Sequence, residues 1–365
     1  MSRGTGTGWT VRVAQVRLHA FTVPAPAPAA HHPAVRTDAR RDPVRGWLVG
    51  VGDGRHWGWW GPVDQAVAAR APELLATAFP ALPAEVDAAD FARRLRRATR
   101  HGHTGVLSLS VGALELALWD LLGKRAGLPV WALLAPRAVE RTVPAYATCF
   151  GVDPVPSRLP RVMDELAEEF TVQKWRAEVL GPELIDLTKD FVVRRGPGRL
   201  AVDFHGAWSP ERVRAACRPL AGALAWVEEP YHPDEVDTAR PGEFAVPHAA
   251  GEHCYGHADA AQLRAGRVDV WQPDAVFCGG LVNLRHLVRE AARAGARCAP
   301  HGGGFLPALH LAAAGEPIDL VELHLLLEPR RAAHLAEPPA MTASHLAIPT
   351  APGWGGELRT DLFDG

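Results

Sequence analysis

Lysine is nearly missing from this 365-residue chain. Lys124, Lys174 and Lys189 are the only three, and arginine supplies the other 36 of the 39 basic residues. A guanidinium is not deprotonated near neutral pH, so a lysine base, if the chemistry uses one, is among those three. Cysteine is sparse too: Cys149, Cys217, Cys254, Cys278 and Cys298 form no CxxC pair, which excludes a disulfide framework or a structural zinc site as the reading. There is no excess of either charge. The 39 basic and 41 acidic residues leave a net charge of −2, with no basic surplus to displace counterions from a nucleic acid. No apolar segment opens the sequence, and no uninterrupted apolar run reaches the roughly 18–20 residues of a membrane helix. The expectation is a cytoplasmic protein without nucleic-acid or membrane partners. With 47% hydrophobic and 22% charged residues, a disordered or fibrous chain is excluded.

The first third mixes element types. Residues 11–21 alternate apolar and polar and predict a strand. The Pro- and Ala-rich stretch 24–43, with His31 and His32, reads as a loop or flap. WLVGV and HWGWWG flank Asp53-Gly54 as a hairpin. Helical spacing follows near 63–79, 85–100 and 110–135, the last broken at Gly127 and Pro129. From Val143 the texture changes. Eight short apolar runs, VPAYA, TVQKW, RLAVDF, ALAWVEE, EFAVPHAAGE, VDVWQPD, ARCAPH and PIDLVEL, alternate with helical stretches over about 200 residues. That pattern predicts an α/β parallel barrel of βα units.

Polar residues punctuate the strand ends: Lys174, Asp203, Glu228, Glu252, Asp274, His301 and Glu322. From Asp203 onward their intervals are 25, 24, 22, 27 and 21 residues, about one βα unit each. In a barrel all C-terminal strand ends converge on one face, so these side chains are expected around one pocket. Three carboxylates from consecutive strands are hard oxygen donors, better suited to Mg²⁺ than to zinc.

Taken in order, ALELALWDLLGKRAGLPVWALL, VDFHG, WVEEP, AAGEH, QPDAVFCGG, APHG and PGWGGEL resemble the enolase superfamily, in its mandelate racemase-like branch. The resemblance implies a modified (β/α)7β TIM-type barrel over 139–344, with an α+β capping domain over 1–138 completed by about 345–365. It implies Mg²⁺ on Asp203, Glu228 and Glu252, with Glu229 left as a solvated surface carboxylate. Asp274 and His301 match the family's His–Asp dyad, and Glu322 matches its substrate-facing position on the last strand. Where the family often carries Lys-x-Lys on the second strand, this chain has Lys174-Trp175-Arg176. Arg176 can fork onto a carboxylate but is no base, which disfavours two-base racemisation and leaves Lys174 as an electrophile.

The phrase Asp203-Phe204-His205-Gly206 is similar to acid-sugar dehydratases of the galactonate type. There the histidine two residues after the metal-binding Asp is the general acid, and alternation would place His205 on the same side as Asp203. GEHCYG resembles the rhamnonate type, with His253 a substrate contact, and His31 and His32 would close over the polyol end. The implied function is Mg-dependent dehydration of an aldonate-type sugar acid to a 2-keto-3-deoxy acid by a carbon–oxygen lyase, working as a homo-oligomer. The alternatives are an epimerase or racemase, a cycloisomerase of a sugar acid or lactone, and a non-catalytic metabolite-binding barrel.

Overall fold

The computed structural model describes residues 9–27, 32–35, 41–136, 142–149, 157–232, 243–302, 305–337 and 344–363. In the first part, β2 (Gln15–Val23), β3 (Val44–Gly52) and β4 (Trp57–Val63) form an antiparallel sheet. The predicted hairpin lies between the last two, where the Asp53 carboxylate accepts the backbone N–H groups of Arg55 and His56 at 2.8 and 2.7 Å. The single strand expected at 11–21 is two strands, because β1 (Thr10–Val13) leaves the sheet to pair with β5 (Ala84–Asp87). The helix expected from residue 85 accordingly starts at Ala88. Val86 is needed opposite Val11, both buried, and Asp87 caps the helix by accepting from Asp90 N–H at 2.7 Å.

Helices α1 (Gln65–Ala78), α2 (Ala88–Ala98), α3 (Val106–Ala126) and α4 (Val130–Leu134) complete this layer. Helix α3 is long and apolar enough by length and composition to cross a membrane. Here 83% of its most apolar window is buried in protein, against β4 and α1 on one side and the barrel on the other. Gly58 allows the contact, since a Cβ there would sit 2.2 Å from the Ala117 carbonyl.

All eight apolar runs from Val143 onward are strands: β6 (Thr142–Thr148), β7 (Gln173–Arg176), β8 (Leu200–Asp203), β9 (Trp226–Glu228), β10 (His248–Ala250), β11 (Val270–Trp271), β12 (Arg297–Cys298) and β13 (Val321–His324). They pair in parallel in the order β12-β11-β10-β9-β8-β7-β6-β13. The seam between the end strands is bridged by Asp319, whose N–H donates to Cys298 O at 2.8 Å while its carboxylate accepts Cys298 N–H at 2.7 Å. Helices α5 (Leu159–Glu169), α6 (Ala177–Leu180), α7 (Leu184–Arg195), α8 (Pro210–Cys217), α9 (His257–Ala265), α10 (Leu281–Arg293), α11 (Phe305–Ala313) and α12 (Leu327–Arg331) follow the strands. Tyr146, Val172, Ala201, Trp226, Ala249, Val270 and Ala299 fill the barrel centre. Counting on two residues, one step of strand alternation, gives Thr148, Lys174, Asp203, Glu228, Gln272 and His301 at the strand ends.

Cap and barrel are locked by buried polar contacts. The Glu115 carboxylate on α3 accepts Leu281 N–H at 2.6 Å and Val282 N–H at 3.1 Å, so it caps α10 across the interface. Gly112 lets α3 approach the loop after β11, where a Cβ would meet Val276 O at 2.4 Å, and Ser108 donates to Phe277 O at 2.6 Å. After β14 (His345–Ala347), which pairs antiparallel with β6, the chain crosses to the cap, and Trp354 Nε1 donates to Leu116 O at 3.0 Å. His310 ties this crossing together: Nδ1 accepts Trp131 N–H at 3.0 Å and Nε2 donates to Trp354 O at 3.3 Å.

The Trp131 bond requires the neutral ring, because it uses the Nδ1 lone pair, and burial pushes the His310 pKa down to about 4. An unfolded histidine titrates near 6.5, so this contribution is complete above that pH and is lost as pH falls toward 4. His310→Gln should therefore cost stability at pH 7.5, and that cost should shrink by about 2 kcal/mol at pH 5. Urea midpoints for both proteins at the two pH values measure it; a pH-independent difference contradicts the assignment.

Candidate active site

Asp274 is fully buried just past β11. One carboxylate oxygen accepts Val276 N–H at 2.7 Å and Phe277 N–H at 3.0 Å, which leaves the other for His301 Nδ1 at 2.8 Å. The backbone thus orients the carboxylate, and the carboxylate puts the imidazole proton on Nδ1. His301 Nε2 faces inward, 3.4 Å from Glu252. Burial alone would push His301 down. The charges of Glu252 and Glu322 and the bond to Asp274 outweigh it and lift the pKa to about 10.

Across the barrel, Lys174 is a buried ammonium ion. It donates to Glu228 Oε1 and lies 3.0 Å from Glu322 Oε1. Burial would lower its pKa, but these two carboxylates hold it well above the usual lysine range. Glu228 Oε2 accepts from Trp226 Nε1 at 3.0 Å and Gln272 Nε2 at 2.7 Å, while Oε1 takes Lys174 and keeps a lone pair open. Glu322 accepts from the Thr148 hydroxyl, and from Gly302 N–H at 2.7 Å.

Asp203 sits in register with Glu228 on the next strand. Burial, with the charges of Glu252 and Glu229, raises its pKa to about 6 against the opposing pull of Lys174. Glu228 and Glu252 are also raised, first by burial and then by neighbouring carboxylates. These acids raise one another's pKa and are hard oxygen donors, but among the described residues the side chains whose ligand atoms gather within 4.8 Å are Glu229, Glu252 and His253, not Asp203, Glu228 and Glu252 together.

Several expectations need correction. Glu229 is not a solvated surface group: it is buried, its carboxylate lies 2.8 Å from His253 Nδ1, and Glu229, Glu252 and His253 offer ligand atoms within 4.8 Å of one another. Strand alternation fails there because Glu229 has φ 41° and turns the chain. His205 is likewise set by a turn: β8 ends at Asp203, His205 has φ 53°, and its N–H donates to Asp203 at 2.8 Å. Arg176 reaches across from β7 and donates to His205 Nε2. His32 does not join this group. It packs on Phe170 and lies 3.3 Å from Glu169 at the C-terminal end of α5, the barrel face opposite the strand ends. A histidine-rich loop carries no period that would fix where its rings land. His31 lies outside the described residues.

Over half the chain, residues 162–362, matches the family described as enolase C-terminal domain-like. D-galactarolactone cycloisomerase of Agrobacterium fabrum is 31% identical over 286 residues, covering 72% of this chain and 75% of that protein. The chain belongs to the enolase superfamily, in its mandelate racemase-like branch. Arabinonate dehydratase of Saccharolobus solfataricus is 28% identical over 280 residues, covering 73% and 74% of the two chains. A racemase of Streptomyces coelicolor A3(2), solved with bound magnesium, matches with a TM-score of 0.72 at 25% identity over 95% of this chain and 97% of its own. The relatives of this superfamily member are thus acid-sugar dehydratases and cycloisomerases.

The superfamily barrel also brings to the site three residues that sequence pattern alone did not mark. Thr148 and Gln272 fix the carboxylates, and Phe277 places its ring 6.3 Å from His301 and 5.9 Å from His253. Alternation from the core residues Tyr146 and Val270 was the available signal for the first two. Glu229 and His253 border only a small hollow of about 30 Å³. An open space of about 390 Å³, with Phe277 in its wall, lies between cap and barrel.

Proposed function

We propose that this protein dehydrates a sugar acid of the aldonate type to a 2-keto-3-deoxy acid. The observation that carries this is His301 Nε2, backed by Asp274, opposite a pocket of buried carboxylates. Asp203, Glu228 through its open Oε1 lone pair, and Glu252 would hold Mg²⁺, with Glu229 and His253 beside them. The ion, when bound, supplies the positive charge that makes a proton α to a carboxylate removable. The charges of Glu252 and Glu322 hold His301 protonated without the ion; with a cation on Glu252 offsetting that charge, the ring would be neutral and its Nε2 would take the α-proton. Arg176 presents a guanidinium for the substrate carboxylate. Its bond to His205 Nε2 requires the neutral ring; drawing Arg176 onto the substrate carboxylate frees Nε2 to take a proton from solvent, and the imidazolium then gives a proton to the departing β-hydroxyl, which leaves as water. Lys174 contributes charge only, because an ammonium ion shared between Glu228 and Glu322 has no lone pair for a proton. A single base on one face suits elimination, not exchange of α-epimers.

The test is a panel of sugar acids with Mg²⁺, assayed for 2-keto acid formation and for α-proton exchange in D2O. At least one aldonate-type acid should yield a keto-deoxy product with no comparable accumulation of its α-epimer. His205→Asn should lower product formation about 10²-fold or more while exchange persists. Equal loss of both signals would remove His205 as a separate acid, and epimer formation as fast as dehydration would overturn the reading.

A further inference from the structure

Five arginines fall within residues 93–100, at the end of α2, and none of them takes part in the chemistry above. Arg93 and Arg94 pair with Asp90 one turn back. Arg96 and Arg97 sit in the last helical turn, where a cation suits the carbonyl end of the helix. Arg100 lies past that end. The chain turns there, with Gly102 N–H donating to Thr99 O at 2.9 Å, and the turn brings Arg96, Arg100 and His103 to the wall of one cavity of about 190 Å³. The barrel supplies the opposite wall, through Tyr255 after β10 and Cys278 and Gly279 after β11.

No acidic side chain lines this cavity among the described residues. Arg96 and Arg100 are four residues apart, a spacing at which like charges repel. The hydroxyls in the wall are already engaged: Thr99 donates to Arg96 O at 3.0 Å and Ser108 to Phe277 O at 2.6 Å. The N–H groups of Tyr255 and Gly256 donate to Asp259 at 2.7 and 2.9 Å. What faces the space is therefore cationic. Arg100 is exposed and uses its Nε on His101 Nε2 at 3.0 Å, which leaves both Nη groups for a ligand, and exposed His103 offers a ring N–H in either tautomer.

We propose that this cavity binds a phosphate group, as the free ion or on a small ester, between the cap and the barrel. Guanidinium forks match phosphate oxygens, and the anion removes the repulsion between Arg96 and Arg100. The space is smaller than the roughly 300–1,000 Å³ of a pocket for a larger organic ligand, and its Arg100 and His103 rim is open to water for an ester tail. It is a site apart from the reacting centre, yet it touches the same loops. The Tyr255 ring stacks on Phe277, with centroids 6.4 Å apart and planes 7° from parallel, and Phe277 borders His253 and His301. A phosphate held here braces the loops after β10 and β11 from behind.

The test is calorimetric titration of the full chain with inorganic phosphate, glycerol 3-phosphate and succinate. It is run in metal-free buffer, which excludes phosphate held by a cation in the carboxylate pocket, with ionic strength fixed by chloride. At least one phosphate probe should bind once per chain with a Kd of about 1 mM or tighter. Preference for the ester or for the free ion identifies the source, and either supports the site. Arg100→Gln should weaken binding at least about tenfold. Arg97→Gln loses the same charge from an exposed position outside the cavity and should stay within about twofold of the parent. Phosphate should also raise the urea midpoint of the parent and not that of Arg100→Gln. The inference is overturned if neither phosphate probe saturates by about 10 mM, if the two variants lose affinity equally, or if succinate binds tighter than both phosphates.

Discussion

His301→Asn is expected to abolish turnover and α-proton exchange together, by at least about 10³-fold, the scale of a positioned general base. The amide is close to the imidazole in size but has no basic atom to put where Nε2 lies, 3.4 Å from Glu252. Asp274→Asn should be the milder partner. It keeps the bonds from Val276 and Phe277 available but offers an NH2 where His301 needs an acceptor, so the proton is driven onto Nε2, the wrong nitrogen for a base. A loss of about 10²-fold or more is expected, and because the defect is the tautomer and not the charge of the ring, raising the pH toward about 9 should not restore activity. Mg²⁺ binding measured by calorimetry should survive both substitutions within a few fold, because neither residue belongs to the carboxylate pocket. Exchange that persists in His301→Asn at more than a few per cent of the original rate would move the base elsewhere.

The barrel was legible because the same small unit repeats. Eight apolar runs end in polar residues one βα unit apart, and a parallel sheet has few other ways to bury such runs. The strand ends were legible for the same reason, since alternation carries Ala201 to Asp203 and Val172 to Lys174. It ran out where the backbone leaves the strand. Glu229 and His205 are set by positive-φ turns, and no period reports those. Strand β5 is four residues long and runs directly into α2, so its alternation is too short to separate from a helix start. The function of Lys174 was half visible: its scarcity marked it, but only the fold shows that it is held between Glu228 and Glu322.

That pairing makes Lys174→Met the most destabilising change expected in the barrel. The substitution keeps the stem and removes the charge from a site where Lys174, Glu228 and Glu322 are all buried. Breaking a buried ion pair by deleting one partner costs about 3–5 kcal/mol, because the remaining charge has neither water nor counterion. Here two carboxylates are left, and the bonds from Thr148, Gln272, Trp226 and Gly302 only partly satisfy them. The sign with pH follows. Without the ammonium, both carboxyls have folded pKa values raised above their unfolded ones. The penalty is therefore greatest at neutral and higher pH and shrinks as acid protonates them. Mg²⁺ should act in the same direction, since a cation beside Glu228 replaces part of the missing charge and binds only the folded protein. Urea unfolding of Lys174→Met and the parent at pH 8 and pH 5.5, each with Mg²⁺ and with a chelator, tests all of this. The stability difference should be largest at pH 8 with chelator and smallest at pH 5.5 with Mg²⁺. A difference under about 1 kcal/mol, or one that responds to neither pH nor Mg²⁺, would mean that Lys174 fills space in the barrel without balancing its charge.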